Sequence, residues 1–329
     1  MFGLLKNVRI TSVGAMGLAL ALLSGCAINM PVPVTDPAPS ADKFAKAEAA
    51  PTSLYFVDAQ SAETKAKLVT GLIPMKPTYK DQPLDAAAWL ARNTVTELAA
   101  RGLPVKQATA ADGATTVQIK LISSQNHRVS GFSPFETYTS LNADLITAKG
   151  PQRIAFWMKR GKVPVWSFNE VIDPTFNVPL GIMSKELAAK INQKLFGAAI
   201  SDAQVDALAK KIEAAGKAAD FNDVYALGYG NNPRAVPALV KLADFGDDDV
   251  AHAAISSLGA LLANDQLPLL TKRFENDKTD WEDRAIALKA ICDLDGAAAK
   301  AYVQKTEAAL ADKSDRASNL FKAIIALYK

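Results

Sequence analysis

Three kinds of apolar patterning follow one another along the chain. Val13 to Leu23 is an unbroken apolar run of 11 residues behind a basic start that carries Lys6 and Arg9. A helix needs about 20 apolar residues to span a bilayer, so this pattern predicts a secretory leader over residues 1–25 that is removed. From Ala27 to about Pro51 periodicity stops, and Pro31, Pro33, Pro37 and Pro39 alternate with small and polar residues. That composition predicts a flexible tether over residues 26–52, with a reach of roughly 25 to 30 Å.

Residues 53–200 mix two periods. Ser53 to Val57 reads as a strand, and Ala88, Trp89, Val95 and Leu98 recur at helical spacing before Gly102 ends the run. Thr115 to Ile122, Thr137 to Thr147, Arg153 to Lys159 and Val163 to Val171 read as four strands of a meander. Leu187, Ile191 and Leu195 then return to helical spacing from Met183 to Phe196, with Ser184 as the expected N-cap. Neither helix is placed as a crossover between adjacent parallel strands. The predicted fold class is therefore α+β, an antiparallel sheet with two helices on one face. This order of elements is similar to that of small envelope lipoproteins that assist lipid or polysaccharide transport.

Residues 201–329 are almost strandless and repeat themselves. Asn232-Pro233-Arg234-Ala235-Val236-Pro237-Ala238-Leu239 is followed by the acidic turn Asp247-Asp248-Asp249 and a helix ending Ser257-Leu258-Gly259. This resembles a HEAT-type repeat, with Ala226-Leu227-Gly228 closing an earlier copy and Ile291 and Ile324 marking two later ones. Leu227, Leu258, Ile291 and Ile324 stand 31, 33 and 33 residues apart. One apolar position at a fixed period predicts stacked helix pairs, here three to four, forming an all-α helical-repeat domain. The third copy lacks the closing glycine, and the fourth lacks the double-proline helix.

Leu23-Ser24-Gly25-Cys26 closes the leader and resembles a bacterial lipobox. The resemblance implies cleavage between Gly25 and Cys26, acyl chains on Cys26, and a mature chain from Cys26 to Lys329. Ala27 stands where many enteric inner-membrane lipoproteins carry Asp, which by that family's rule implies the Gram-negative outer membrane, periplasmic side. Losing Lys6 and Arg9 from 37 basic residues leaves 35 against 34 acidic ones. So even and mixed a balance argues against a nucleic-acid partner.

Catalytic chemistry has few candidates. Cys292 sits in an apolar helical run as a small core residue, and His127 and His252 are too far apart for a metal-ligand spacing. No nucleophile motif, phosphate loop or calcium loop is present, so neither metal nor cofactor is expected. The acids at Asp247 to Asp249 and at Asp280, Glu282 and Asp283 read as helix caps. An enzyme would need convergent polar groups, with His127, Arg128 and Glu136 as the candidates. For binding, Phe132, Phe135 and Tyr138 cluster around Gly131 and Pro134, either as an aromatic anchor or as rings folded onto the sheet. The row Tyr225, Ser256, Lys289 and Lys322 is expected along the concave side of the repeats. The last helix carries Leu320, Phe321, Ile324, Ile325, Leu327 and Tyr328 on more than one face, and needs cover from the α+β domain, a second copy (a homo-oligomer) or another partner. The expected function is a non-enzymatic, membrane-anchored lipoprotein that binds protein partners in envelope assembly or transport. The alternatives are a lipid-, glycan- or peptidoglycan-binding accessory protein using the α+β domain, or an enzyme with a site of another kind.

Overall fold

The computed structural model describes residues 30–45, 50–128, 130 and 133–329. The leader, Gly25, Cys26 and Phe132 lie outside the described residues. In chain order the first part contains β1 (Met30–Pro33), β2 (Thr52–Asp58), α1 (Ala62–Ala66), β3 (Val69–Gly71), β4 (Met75–Tyr79), β5 (Gln82–Pro83), α2 (Ala86–Ala100), β6 (Val105–Gln107), β7 (Thr115–His127), β8 (Phe135–Thr147), β9 (Gly150–Lys162), α3 (Asn169–Ile172) and α4 (Val178–Leu195).

The fold is α+β followed by helical repeats, with a mixed sheet where an antiparallel one was expected. The main sheet runs β6-β2-β7-β8-β9, with β3 also on β7. β7, β8 and β9 form the expected antiparallel meander, 13 residues each. β2, however, pairs in parallel with both β6 and β7. The reason is that α2 carries the chain back across the sheet between β2 and β6, the crossover a parallel pair needs. Within β7 the buried positions switch from Val117 and Ile119 to Ile122, Ser124 and Asn126. A bulge between Ile119 and Leu121 absorbs Lys120, so the same face stays buried through the change of parity.

The expected fourth meander strand is absent. The chain leaves the sheet after Lys162, Pro164 denies the ladder a donor, and from Asn169 the backbone coils through α3 and a π-helical turn, Asp173–Asn177, into α4. Ser184 is accordingly not a cap. It lies inside α4 and its hydroxyl donates to the Gly181 carbonyl at 2.8 Å.

The expected tether is also corrected, since residues 30–45 form a strap sewn to the body. β1 pairs in parallel with β4, and Val32, Val34 and Phe44 are buried. Asp36 accepts from Tyr79, Arg92 and Asn93, and the Phe44 amide donates to the Arg101 carbonyl. Apolar residues scattered among the prolines drive this docking, and proline's fixed φ lowers its entropic cost.

The repeats comprise four helix pairs: α5 (Asp202–Ala215) with α6 (Phe221–Gly228), α7 (Val236–Ala243) with α8 (Asp248–Ala260), α9 (Leu267–Glu275) with α10 (Trp281–Asp293), and α11 (Ala297–Leu310) with α12 (Arg316–Leu327). Leu227, Leu258, Ile291 and Ile324 are all fully buried, one per pair. Asn232, Asp247 and Asp280 cap as expected. The closing glycines have a packing cause. A Cβ on Gly228 would stand 2.4 Å from the Ser257 side chain, and one on Gly259 would stand 2.7 Å from the Ala290 backbone. The stack therefore closes only with glycine there, whereas the next copy opens at Cys292.

Candidate functional site

The repeats pack along the exposed side of β9, the edge strand of the sheet. Covering an edge in this way prevents its pairing with another chain. The polar chemistry of the molecule is concentrated in this junction, in three places.

The first is the inner row of the repeats. Tyr225, Ser256 and Lys289 do not line an open concave surface but are buried against the chain's own sheet domain, and Lys289 has no exposed area. Its ammonium lies 2.6 Å from Glu186 Oε1 and 2.8 Å from Asp293 Oδ2, and donates to Ser256 Oγ at 3.0 Å. Lys190 Nζ lies 2.7 Å from Glu186 Oε1 and 2.5 Å from Asp293 Oδ1. Two (i, i+4) pairs, one on α4 and one on α10, thus interlock as a quartet with two charges of each sign. The hydroxyl of Tyr229 donates to Glu186 and that of Tyr328 to Asp293. Burial alone would lower the Lys289 pKa, but Asp293 and Glu186 outweigh it and hold the ammonium above its ordinary range. Asp293 is held low by Lys190 and Lys289 against the opposing effect of burial. A buried quartet of this kind ties the two domains together, each charge facing one of opposite sign.

The second place lies toward the start of α10. His127 from β7 and His252 from α8, the chain's two histidines, flank one cluster. His127 Nδ1 is 3.6 Å from Glu136 Oε2, and His252 Nε2 is 3.2 Å from Asp283 Oδ1. Between them Lys159 Nζ reaches Glu282 at 2.8 Å, Glu136 at 3.5 Å and Asp283 at 3.7 Å. Tyr138 is buried and donates its hydroxyl to Glu282, which raises the phenol's pKa together with burial. Burial also raises Glu136, although Lys159 opposes it. Asp283 is lowered, since His252 and Lys159 outweigh burial. Donor atoms of His127, Glu136 and Glu282 lie within 4.8 Å of one another, a set that suits a divalent metal. The Lys159 ammonium is shared by Glu282 and Glu136 of this set, which makes an ionic clasp, while His127 Nδ1 is buried without a hydrogen-bond partner among the described residues. Arg128 Nε donates to the Ser133 carbonyl.

The third place is a cleft of about 730 Å³ between the β8–β9 turn, α4, the end of α10 and α11. Lys149, Arg153, Lys190, Lys194, Lys300 and Lys329 line it against Asp293, Asp295 and Glu307. Burial and the neighbouring Lys190 lower the pKa of Lys194. Cys292 also faces the cleft; burial raises its pKa, so it stays a thiol.

The other expected binding residues are accounted for locally. Phe135 folds into the sheet core, and so does Tyr138, the reading in which the turn's rings pack onto the sheet. Phe321 is buried against Phe274, and Lys322 is half-buried with its ammonium on the Lys313 carbonyl. The last helix is covered by the sheet domain, where Asn142 donates to the Leu327 carbonyl at 2.9 Å. The open face of the array is instead its outer row, formed by the first helix of each pair. On these helices Lys211 and Lys300 are exposed, and so, at one equivalent position in each helix, are Lys210, Lys241, Lys272 and Lys305. Their spacing of 31, 31 and 33 residues follows the repeat, so applying the period to the first helices as well as the second reveals them.

Comparison with known proteins gives one family. Residues 205–292 match the family described as HEAT repeats, which covers the first three helix pairs and ends at Cys292. No curated protein matches the chain. This part of the chain is a HEAT-repeat array, a type of structure suited to protein–protein interaction.

Proposed function

We propose that the chain is a non-enzymatic scaffold of the bacterial envelope, lipidated on Cys26 at the periplasmic face of the outer membrane, that binds a protein partner through the outer row of its repeats. The observation that carries this reading is the HEAT array with its inner row already filled by α4 of the same chain, which leaves the lysine-bearing outer row as the face on offer. Lys241 is paired with Glu213 at 2.8 Å, and the exposed Lys210, Lys272 and Lys305 suit an acidic protein surface. In support of a non-enzymatic role, the charged groups of the buried quartet are engaged with one another. The test is to exchange Lys210, Lys241, Lys272 and Lys305 for Glu in the full chain, and to compare it with wild type by pull-down from detergent-solubilised envelopes. Loss of the same specific proteins at unchanged melting temperature is expected. Unchanged capture overturns the assignment of that face.

A second reading rests on the cleft. Lys149, Lys194 and Lys300 line it without a carboxylate within 4 Å among the described residues, and such a hollow favours an anionic small ligand. This would make the protein a ligand-binding accessory, through a cationic cleft at the junction instead of an apolar groove within the α+β domain. Saturable binding of a phosphorylated headgroup or an anionic glycan that is lost in Lys194→Ala distinguishes it from the scaffold.

A further inference from the structure

Among the described residues three large apolar side chains are strongly exposed: Trp166 at 84%, Leu72 at 64% and Val163 at 54%. Leu72 is distant in sequence from Val163 and Trp166, which share one loop, yet the three gather at one end of the sheet. Trp166 lines a hollow together with Met30, Ile73 and Phe135. Leu72 is held beside it by its amide on the Asn126 carbonyl, at the end of β7. Val163 follows Lys162, which pairs with Phe135 at the start of β8. The loop that presents the indole is pinned, since the Trp166 amide and the Ser167 hydroxyl both donate to the Glu170 carboxylate at 3.4 and 3.1 Å.

Met30 fixes where the chain enters this end. Its amide donates to the Pro74 carbonyl at 3.1 Å, and β1 runs from there into the body. Cys26 is four residues earlier, so covalent geometry keeps it within about 14 Å of Met30. A lipid on Cys26 therefore places this end of the sheet toward the bilayer.

We propose that the end bearing Leu72, Val163 and Trp166 rests on the lipid surface as a second membrane contact beside the acyl chains, fixing the orientation of the whole molecule. The proposal rests on the reading of Cys26 as lipidated. An indole is suited to the bilayer interface, and the Lys162 side chain at the same end suits anionic headgroups.

The test uses full-length protein, matured in its host and reconstituted into vesicles of phosphatidylethanolamine and phosphatidylglycerol with brominated acyl chains. Mass spectrometry of the N-terminal peptide reads the anchor, and tryptophan quenching reads the contact. Trp89 and Trp157 are buried, so Trp166 should supply most of the quenching. Acylated Cys26, strong quenching in wild type, and loss of most of it in Trp166→Phe but not in Trp281→Phe is the expected result. Acylated Cys26 with quenching absent, or unchanged in Trp166→Phe, overturns the contact while leaving the anchor in place. The same holds if Leu72→Glu with Trp166→Glu abolishes capture of a protein in a preparation that shows no quenching. An unmodified Cys26 removes the anchor, and the proposal with it.

Discussion

At one end of the junction Glu186, Lys190, Lys289 and Asp293 share a single buried volume with two charges of each sign. Toward the other end of α10, about 10 Å away along the helix, Glu136, Glu282 and Asp283 surround the single ammonium of Lys159, with a histidine on each side. Both clusters join the sheet to the repeats, but their charge balance follows their depth. Removing ions from water is so costly that a fully buried group persists only in a balanced set with excellent geometry. A partly wet cluster can hold excess charge because solvent screens it. The first cluster therefore acts as a lock that is insensitive to mild changes of pH. The second acts as a latch whose strength depends on protonation.

The comparison is broken most severely at the lock. Lys289→Met leaves Glu186 and Asp293 sharing one ammonium in a dry site, and a loss of about 3–5 kcal/mol in urea unfolding is expected. Adding Glu186→Gln restores balance and should recover part of that loss. If the single variant costs under about 1 kcal/mol, the quartet is not what holds the domains together.

At the latch, Lys159→Met removes the only ammonium among three carboxylates. Because this site is partly wet, the expected cost is smaller, about 1–3 kcal/mol by the same measurement. Added salt should reduce the penalty here and not at Lys289, since screening reaches only the wetter cluster.

Neither cluster could be read from the sequence, although their helices could. The period of 31 to 33 residues reveals Leu227, Leu258, Ile291 and Ile324 because each copy must bury one position against the next. Glu186 with Lys190 and Lys289 with Asp293 are (i, i+4) pairs, and on a single helix such pairs read as solvated surface. Only tertiary packing turns them inward to face each other. Similarly, Tyr225, Ser256 and Lys289 were correctly aligned in one row by the period, yet nothing local shows that α4 fills the groove above them. The strap was hidden by its prolines, which mask the apolar spacing of Val32, Val34 and Phe44. β2 and β6 are too short for their parallel pairing to show in any pattern. His127 and Glu136 were recognisable as polar residues near a turn, but their neighbours Glu282, Asp283 and His252 come from more than a hundred residues away.

Within the latch, Asp283 and Glu136 respond to pH in opposite directions. The folded pKa of Asp283 lies below its ordinary value of 3.8, so its ionisation stabilises the fold above that pH, and the benefit is lost as pH falls through the folded value. Asp283→Asn should thus be less stable than wild type near neutrality, by about 1 kcal/mol, with the two curves converging in acid.

Glu136 gives the mirror image, with the smallest effect. Its folded pKa lies above the ordinary 4.5, because burial disfavours the carboxylate more than Lys159 favours it. Its favourable contribution is complete below 4.5, where the carboxyl is neutral in both states, and is lost as pH rises through the folded value. Glu136→Gln keeps the shape without the charge, so it should match wild type in acid and become the more stable protein at neutral pH, by less than about 1 kcal/mol. Melting temperatures of the two proteins from pH 3 to pH 8 check this. A Gln variant that is less stable at neutral pH would mean that the Glu136 carboxylate is a working partner of Lys159 and His127. The cluster would then act as a second lock, and the contrast with the buried quartet would disappear.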